Sequence, residues 1–254
     1  MIIDTHSHIY LAEFDVDRES MLMRAENEGI NLILMPAVDQ ETYLAMLKVE
    51  KEFSEKSHSM MGLHPCSVKE GYKQELKIAE EYLEKRRFVA VGETGLDFYW
   101  DKTFTKEQYE SFQTQIEWAK HYDLPVVIHS RNSIDECIAT IKENQQGNLK
   151  GVFHCFSGDE KQAKEIIDLG FYLGIGGVVT FKNSGLDKVM VDIDMKNIVL
   201  ETDAPYLAPV PFRGKRNECC YLKYVVEKLA EIKNVSKEDI AEITTKNAKE
   251  LFNI

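Results

Sequence analysis

Met1-Ile-Ile-Asp-Thr-His-Ser-His-Ile-Tyr10 opens on a short apolar run and passes at once through Asp4 to His6 and His8. In an extended chain, residues two apart project to the same side. Both imidazoles can therefore face one spot at the end of a strand. Two neutral imidazoles converging on a point supply half of a transition-metal site. Alone, a His-x-His pair is as readily solvated polar sequence on a surface hairpin. The pattern gains weight because it recurs: further apolar runs also end at residues able to bind a metal.

Those runs are Leu32-Ile-Leu-Met35, Met60-Met-Gly-Leu63, Phe88-Val-Ala-Val91, Val126-Val-Ile128, Val152-Phe153, Phe171-Tyr-Leu173 and Ile198-Val-Leu200. With Ile2-Ile3 they make eight. Short continuous apolar runs fit strands of a parallel sheet covered on both faces. Their ends lie roughly 20 to 37 residues apart, which leaves room for one crossover helix each.

Most of the intervals read as helices. Residues 18–28 carry Met21, Leu22 and Ala25 on one side and stop at Gly29, which suits a C′ position. Residues 72–86 place Leu76, Ala79 and Leu83 at helical spacing. Thr105-Lys-Glu-Gln108 has the form of a capping box. Tyr109, Phe112, Ile116 and Ala119 follow it as an apolar stripe. Shorter helices are predicted over 133–143 and 159–168, and a short or irregular element around 185–190. A loop with Pro205, Pro209 and Pro211 follows the eighth run. Helices are then expected over about 220–233 and 236–251, the second starting at Ser236.

Eight β–α units in 254 residues predict an α/β fold, a (β/α)8 TIM barrel, as a single domain over residues 1–254. The alternative is a doubly wound open sheet. No Gly-x-Gly-x-x-Gly turn follows any run, so a dinucleotide site has no support.

The composition, 44% hydrophobic and 29% charged, is that of an ordinary globular protein. No apolar run is long enough to span a bilayer, and the opening residues lack the basic and apolar regions of a signal peptide. A net charge of −12 argues against broad attachment to nucleic acid or an anionic membrane, while leaving room for a local basic rim. The five cysteines form no CxxC pair and read as reduced thiols of a cytoplasmic protein.

In a barrel of this kind the C-terminal strand ends form the active site. The sequence places His6 and His8 after the first run, Glu93 after the fourth, His129 after the fifth, His154 after the sixth and Asp203 just past the eighth. Each alone has a bland reading: a satisfied core histidine, or a carboxylate closing a turn. Together they put four of the seven histidines at strand ends, enough N and O donors for two metal ions sharing a carboxylate. His58, toward the opposite end, and His121, in a helix tail, stand outside the set. Cys137 and Cys155 read as packing thiols.

The stretches Asp4–His8, Gly62-Leu-His-Pro65, Gly92-Glu-Thr-Gly-Leu-Asp97, His129-Ser-Arg131, His154–Gly158, Leu200–Pro205 and Arg213-Gly-Lys-Arg-Asn-Glu218 resemble the TatD family of metal-dependent deoxyribonucleases, amidohydrolase-like barrels. The resemblance runs through nearly the whole chain in order. It implies that His6, His8, Glu93 and Asp203 bind one metal ion and that Glu93, His129 and His154 bind a second. It also implies hydrolysis of DNA phosphodiesters, often from the 3′ end. One departure is visible: Cys219 follows Glu218 where the family usually has Pro, which bears on the rigidity of that loop.

The residues themselves agree with that chemistry. A phosphodiester is anionic and resists attack by water. Two divalent ions (Mg, Mn or Zn) would activate water and offset charge on the phosphoryl oxygens. Asp203 could orient the water or accept its proton. Arg131, Lys182, Arg213, Lys215 and Arg216 lie near strand ends or in the last loop, where they could contact phosphates. His64 is a further candidate for phosphate contact. Phe98, Tyr99 and Trp100 are candidates for stacking on bases. The expected partner is DNA, through single-stranded ends, with no membrane and with the chain acting as a monomer. Two other functions compete: an amidohydrolase acting on a small cyclic amide, lactone or ester, and a barrel kept only as a binding module. The first would favour a carboxylated lysine as bridging ligand and gives the basic loop no purpose. The second is at odds with a full ligand set.

Overall fold

The computed structural model describes residues 1–254. Eight strands run parallel and in sequence order: β1 Ile2–Asp4, β2 Ile30–Met35, β3 Ser57–Ser59, β4 Val91–Asp97, β5 Val126–Arg131, β6 Gly151–Phe153, β7 Phe171–Ile175 and β8 Ile198–Leu200. The regular ladders join β1 to β3 and β4 to β8. Short pairings close the two seams. Between β3 and β4, Met61 N–H donates to Ala90 and Gly92 N–H to Met61. Between β8 and β1, Thr5 N–H donates to Leu200, Asp203 to His6 and His8 to Ala204. The result is the (β/α)8 barrel expected of the pattern.

Period-two alternation sorts the strand residues. Ile3, Leu34, Met60, Ala90, Val127, Val152 and Val199 form a small apolar cluster with Ala248, Leu251 and Phe252. These fill the barrel interior. Their strand neighbours Ile2, Ile33, Val126, Ile128, Ile198 and Leu200 join the larger cluster of 57 residues that includes the helices. Two residues on from Val127, Val152 and Val199 come His129, His154 and Glu201. The interior is thus apolar at one end and polar at the other because successive side chains alternate in and out.

The helices are α1 Arg18–Asn27, α2 Gln40–Glu52, α3 Tyr72–Lys85, α4 Thr105–Tyr122, α5 Ile134–Asn144, α6 Glu160–Asp168, α7 Leu186–Asp192, α8 Leu222–Lys233 and α9 Lys237–Phe252. The C-terminal residues of α9 plug the apolar end of the barrel. Three features differ from the sequence reading. The helix α2 is absent from the sequence expectations, yet Asp39 caps it in a reciprocal box with Thr42, and Tyr43, Met46 and Val49 are buried. The expected box at Thr105 does not form. Phe104 is the N-cap, Thr105 bonds Lys102 O, and Gln108 instead pairs with the Asp97 backbone, accepting from its N–H at 2.9 Å. The third and fourth strands are displaced from their apolar runs. Ser57-His58-Ser59 forms β3, a polar segment with little hydrophobic signature, and β4 begins only at Val91. Glu93 therefore lies within β4, and His129 lies within β5, which runs on past its apolar residues to Arg131.

Candidate metal centre at the barrel mouth

Glu93 is the hub. It is almost fully buried, and its two oxygens face different histidines. Oε2 lies 3.1 Å from His6 Nε2 and 3.7 Å from His8 Nε2. Oε1 lies 2.8 Å from His129 Nδ1, 2.9 Å from His154 Nε2 and 3.3 Å from His64 Nε2. Asp203, whose backbone is in the left-handed region with φ 55°, brings Oδ1 to 3.5 Å from His8 Nε2 and 3.8 Å from His6 Nε2. The structure thus gathers all six expected ligands, and His64 with them, around one carboxylate.

Neighbouring residues fix the imidazole protons. Tyr10 Oη donates its one hydrogen to Pro36 O at 2.7 Å. It must therefore accept from His8 Nδ1, 2.9 Å away, which leaves the His8 Nε2 lone pair free. Asp97 Oδ2 holds His129 Nε2 at 2.9 Å, turning Nδ1 toward Glu93. Glu201 Oε1 lies 3.3 Å from His154 Nδ1 and accepts the Cys155 N–H. Asp4 accepts from Thr202 N–H, Thr202 hydroxyl and His6 N–H, so it ties β8 to the His6 segment. His64 differs: its Nδ1 accepts from Cys66 N–H at 3.0 Å. The neutral ring therefore carries its proton on Nε2 and presents a donor, not a lone pair. Asp97, Tyr10, Asp4 and Glu201 lie outside the expected set of site residues, and the structure adds them as its supports.

The donors suit a cation. Both nitrogens of the fully buried His6 ring lack a hydrogen bond of acceptable geometry. Burial lowers its pKa, aided by His154, so the ring is neutral with a lone pair among carboxylate oxygens. Burial would raise Glu93, but the surrounding imidazoles, His154 foremost, together with the hydrogen bond from His129, overcome it and hold the carboxyl well below its usual range. Burial likewise opposes ionisation of His154, yet Glu93 and Glu201 drive its pKa well up. His129 is raised against burial by Asp97 and Glu93. Protons on these rings thus supply the positive charge that the carboxylates demand. Three donor groups could each hold a metal ion: His6, His8 and Asp203; His6, Glu93 and His154; and His64, Glu93 and His129. The proton on His64 Nε2 argues against the third.

The rim carries the expected cations. Arg131, Lys182, Arg213 and Lys215 are exposed. The Arg131 guanidinium packs on Tyr99 and the Arg213 guanidinium on Phe181, 3.9 Å from that ring's centre. Arg216 is not available for phosphate. It makes a bidentate pair with Asp17 at 2.7 and 2.8 Å and donates to Glu13 O. Arg24 bridges Asp17 and Glu218 from the other side. The Arg-Asn-Glu stretch is therefore structural, pinning the last loop to α1, and Asn217 adds bonds to Thr202 O and Tyr206 O.

Hydrogen bonds from Arg216, then Arg24, hold the Asp17 carboxyl far below its usual range. A depressed folded-state pKa contributes stability that is complete above the unfolded pKa near 4 and is lost as pH falls through the folded value. Asp17→Asn is expected to cost roughly 1–2 kcal/mol at pH 7, allowing for solvent screening. That gap should stay flat down to about pH 5 and narrow below pH 4. Urea midpoints of both proteins at pH 7, 5 and 3 measure it; a gap that widens on acidification would contradict the pairing.

A sequence model described as TatD related DNase matches residues 3–253. The chain belongs to the TatD family. Among TatD relatives, the uncharacterized metal-dependent hydrolase YabD of Bacillus subtilis is 38% identical over 255 residues, covering 100% of both chains. The uncharacterized metal-dependent hydrolase YcfH of Escherichia coli is 32% identical and covers 100% of this chain and 96% of its own. The crystal structure of the TatD homolog YjjV from Escherichia coli superposes with a TM-score of 0.94 at 32% identity, covering 100% of this chain and 98% of that one. A TatD family protein from Entamoeba histolytica, at 23% identity and a TM-score of 0.85, shares the fold. The protein is accordingly a metal-dependent hydrolase of the TatD family, and the His, Glu and Asp clusters at its barrel mouth are its candidate metal-binding groups. No helix is long and apolar enough to cross a membrane.

Proposed function

We propose that this TatD hydrolase cleaves phosphodiester bonds in DNA, trimming single strands from the 3′ end at a centre for two divalent ions. The observation that carries the reading is the division of labour at Glu93: Oε2 faces His6 and His8, and Oε1 faces His129 and His154. His6, His8, Asp203 and Glu93 would hold one ion; Glu93, His129 and His154 would hold the other. Bound there, divalent cations lower the pKa of water and offset charge on phosphoryl oxygens. Mixed imidazole and carboxylate donors suit Zn or Mn, and Mg is common in phosphoryl transfer.

The chain's own residues supply the rest. Asp203 is the least buried of the six ligands apart from His129, and its carboxylate would accept a proton from the attacking water. The Nε2–H of His64 can donate to a phosphate oxygen. Asp97, Glu201 and Tyr10 keep their imidazoles aimed at the centre, the support that ligating histidines commonly have. Arg131, Arg213 and Lys215 offer cations to the flanking phosphates. At net charge −12 the remaining surface repels a polyanion, so the protein favours a flexible end over a long duplex track, and it works as a monomer in the cytoplasm.

Digestion of 5′-labelled single-stranded and duplex DNA across a salt series tests this. The expected result is a ladder shortening from the 3′ end. With two or three phosphate contacts, the logarithmic salt slope of single-strand binding should be about −1.4 to −2.1. Arg213→Ala should flatten it by roughly 0.7 without changing metal content. Large internal fragments appearing first, or preference for duplex at every salt, would defeat the exonuclease reading. Turnover of lactones or cyclic amides but of no phosphodiester would defeat the reading altogether.

A further inference from the structure

Trp100 and Tyr99 are 68% and 53% exposed. The protein's other tryptophan, Trp118, is buried and donates from Nε1 to Glu80. The exposed pair follows β4 directly, at the point where Asp97 lies opposite Arg131 in the β4–β5 ladder. The Arg131 guanidinium lies 4.0 Å from the centre of the Tyr99 ring and 5.2 Å from that of Trp100. The two rings meet edge to face at 4.9 Å. This turn is anchored to the metal centre. Asp97 Oδ1 accepts the backbone N–H of Tyr99 at 2.9 Å and of Trp100 at 3.2 Å, while its Oδ2 holds His129. One buried carboxylate thus sets both the orientation of His129 and the place of the aromatic turn.

We propose that Trp100, backed by Tyr99 and Arg131, is a stacking platform for an unpaired nucleobase beside the phosphate being cleaved. The proposal rests on the phosphodiesterase reading of the centre. An exposed indole with a cation beside it suits a nucleotide: the ring face takes the base and the guanidinium attracts the adjoining phosphate. Stacking of this kind tolerates any base, because every base has a π-face. A base inside a duplex has both faces covered by its neighbours, so the platform engages a strand only where it is unstacked. Asp97 is then a positioning residue for two functions at once, which accounts for a carboxylate that keeps both oxygens occupied at the edge of the site.

The test titrates hexathymidylate, and an abasic hexamer of the same length and charge, into the full-length protein, with and without added manganese. Tryptophan emission and fluorescence anisotropy are read together. Because Trp118 is buried, quenching reports on Trp100. Hexathymidylate is expected to quench wild-type emission and to bind about 5- to 150-fold more tightly than the abasic hexamer. Trp100→Ala should abolish that discrimination. Trp100→Phe should keep most of it while losing the fluorescence response, and neither exposed substitution threatens the fold. In turnover, Trp100→Ala should raise KM for hexathymidylate more than it lowers kcat. Equal binding of the two hexamers by the wild type, or undiminished discrimination in Trp100→Ala, overturns the platform. The parent reading fails separately: base-dependent quenching with no hydrolysis of any phosphodiester supports the platform and rejects the phosphodiesterase, while hydrolysis indifferent to the base does the reverse.

Discussion

Glu93→Gln is expected to yield a folded chain whose kcat/KM has fallen at least 100-fold and whose metal content has dropped with it. The substitution keeps the shape and removes one charge. That charge is what holds the centre together, since the carboxylate lies within 3.7 Å of four imidazoles supplied by three strands and of His64 as well. Losing a group outside the ligand shell costs about 10- to 100-fold in metal affinity or activity. A carboxylate that faces two donor groups at once should cost more, because both groups and the charge balance are disrupted together. The amide also offers an NH2 to imidazole nitrogens that need an acceptor, so His129 and His154 lose the partner that favours their protonated forms. Elemental analysis of the purified variant, with circular dichroism to confirm folding, separates a missing centre from a misfolded chain. Near-native turnover with full metal content would remove Glu93 from the bridging position. His154→Ala should behave in the same direction, leaving Glu201 without its neighbour.

The features legible in the sequence were those that follow from periodicity. Eight apolar runs at crossover spacing gave the barrel, and ligand-type residues at their ends gave the centre. Period two reaches further than the expected set. Counting two on from Val199 lands on Glu201, as counting from Val127 and Val152 lands on His129 and His154. The inward-facing register therefore already marked Glu201 as a site residue. Three other features left no such trace. Ser57-His58-Ser59 forms a strand because its neighbours impose one, not because it is apolar. Gln108 looks like the end of a capping box but is drawn inward to the Asp97 backbone. Arg216 reads as part of a basic cluster, yet Asp17, a residue 199 positions away, takes it up. Ion pairs of that range depend on the tertiary fold and have no local signal. Asp97 is intermediate. It stands in the Gly92–Asp97 motif, but the hydrogen bonds that give it two tasks appear only when β4 and β5 are side by side.

Gly95→Ala is expected to destabilise the protein by about 3 kcal/mol or more, and the local geometry gives the reason. Gly95 has φ +132°, and a Cβ there would lie 2.1 Å from the His129 carbonyl oxygen. Gly95 and His129 are register partners in the β4–β5 ladder, so no rotamer change can relieve the clash. The strands must part at the pair that carries His129, or the backbone of Gly95 must leave its conformation. Gly170→Ala separates the two contributions. Gly170 also has positive φ, +82°, but nothing lies within 4 Å of its added Cβ. It should cost only the conformational strain, about 1–2 kcal/mol. For a chain of this size the larger loss corresponds to a fall in Tm of roughly 6–12 °C. The functional consequence differs too. Parting β4 from β5 moves His129 away from Glu93 and Asp97, so Gly95→Ala should bind metal more weakly even where it remains folded, while Gly170→Ala, after α6, should bind as the wild type does. Thermal melts and metal titrations on the two variants measure both effects. A Gly95→Ala protein within about 0.5 kcal/mol of wild type would mean that β4 and β5 do not meet at this register, and the placement of His129 against Glu93 would fall with it.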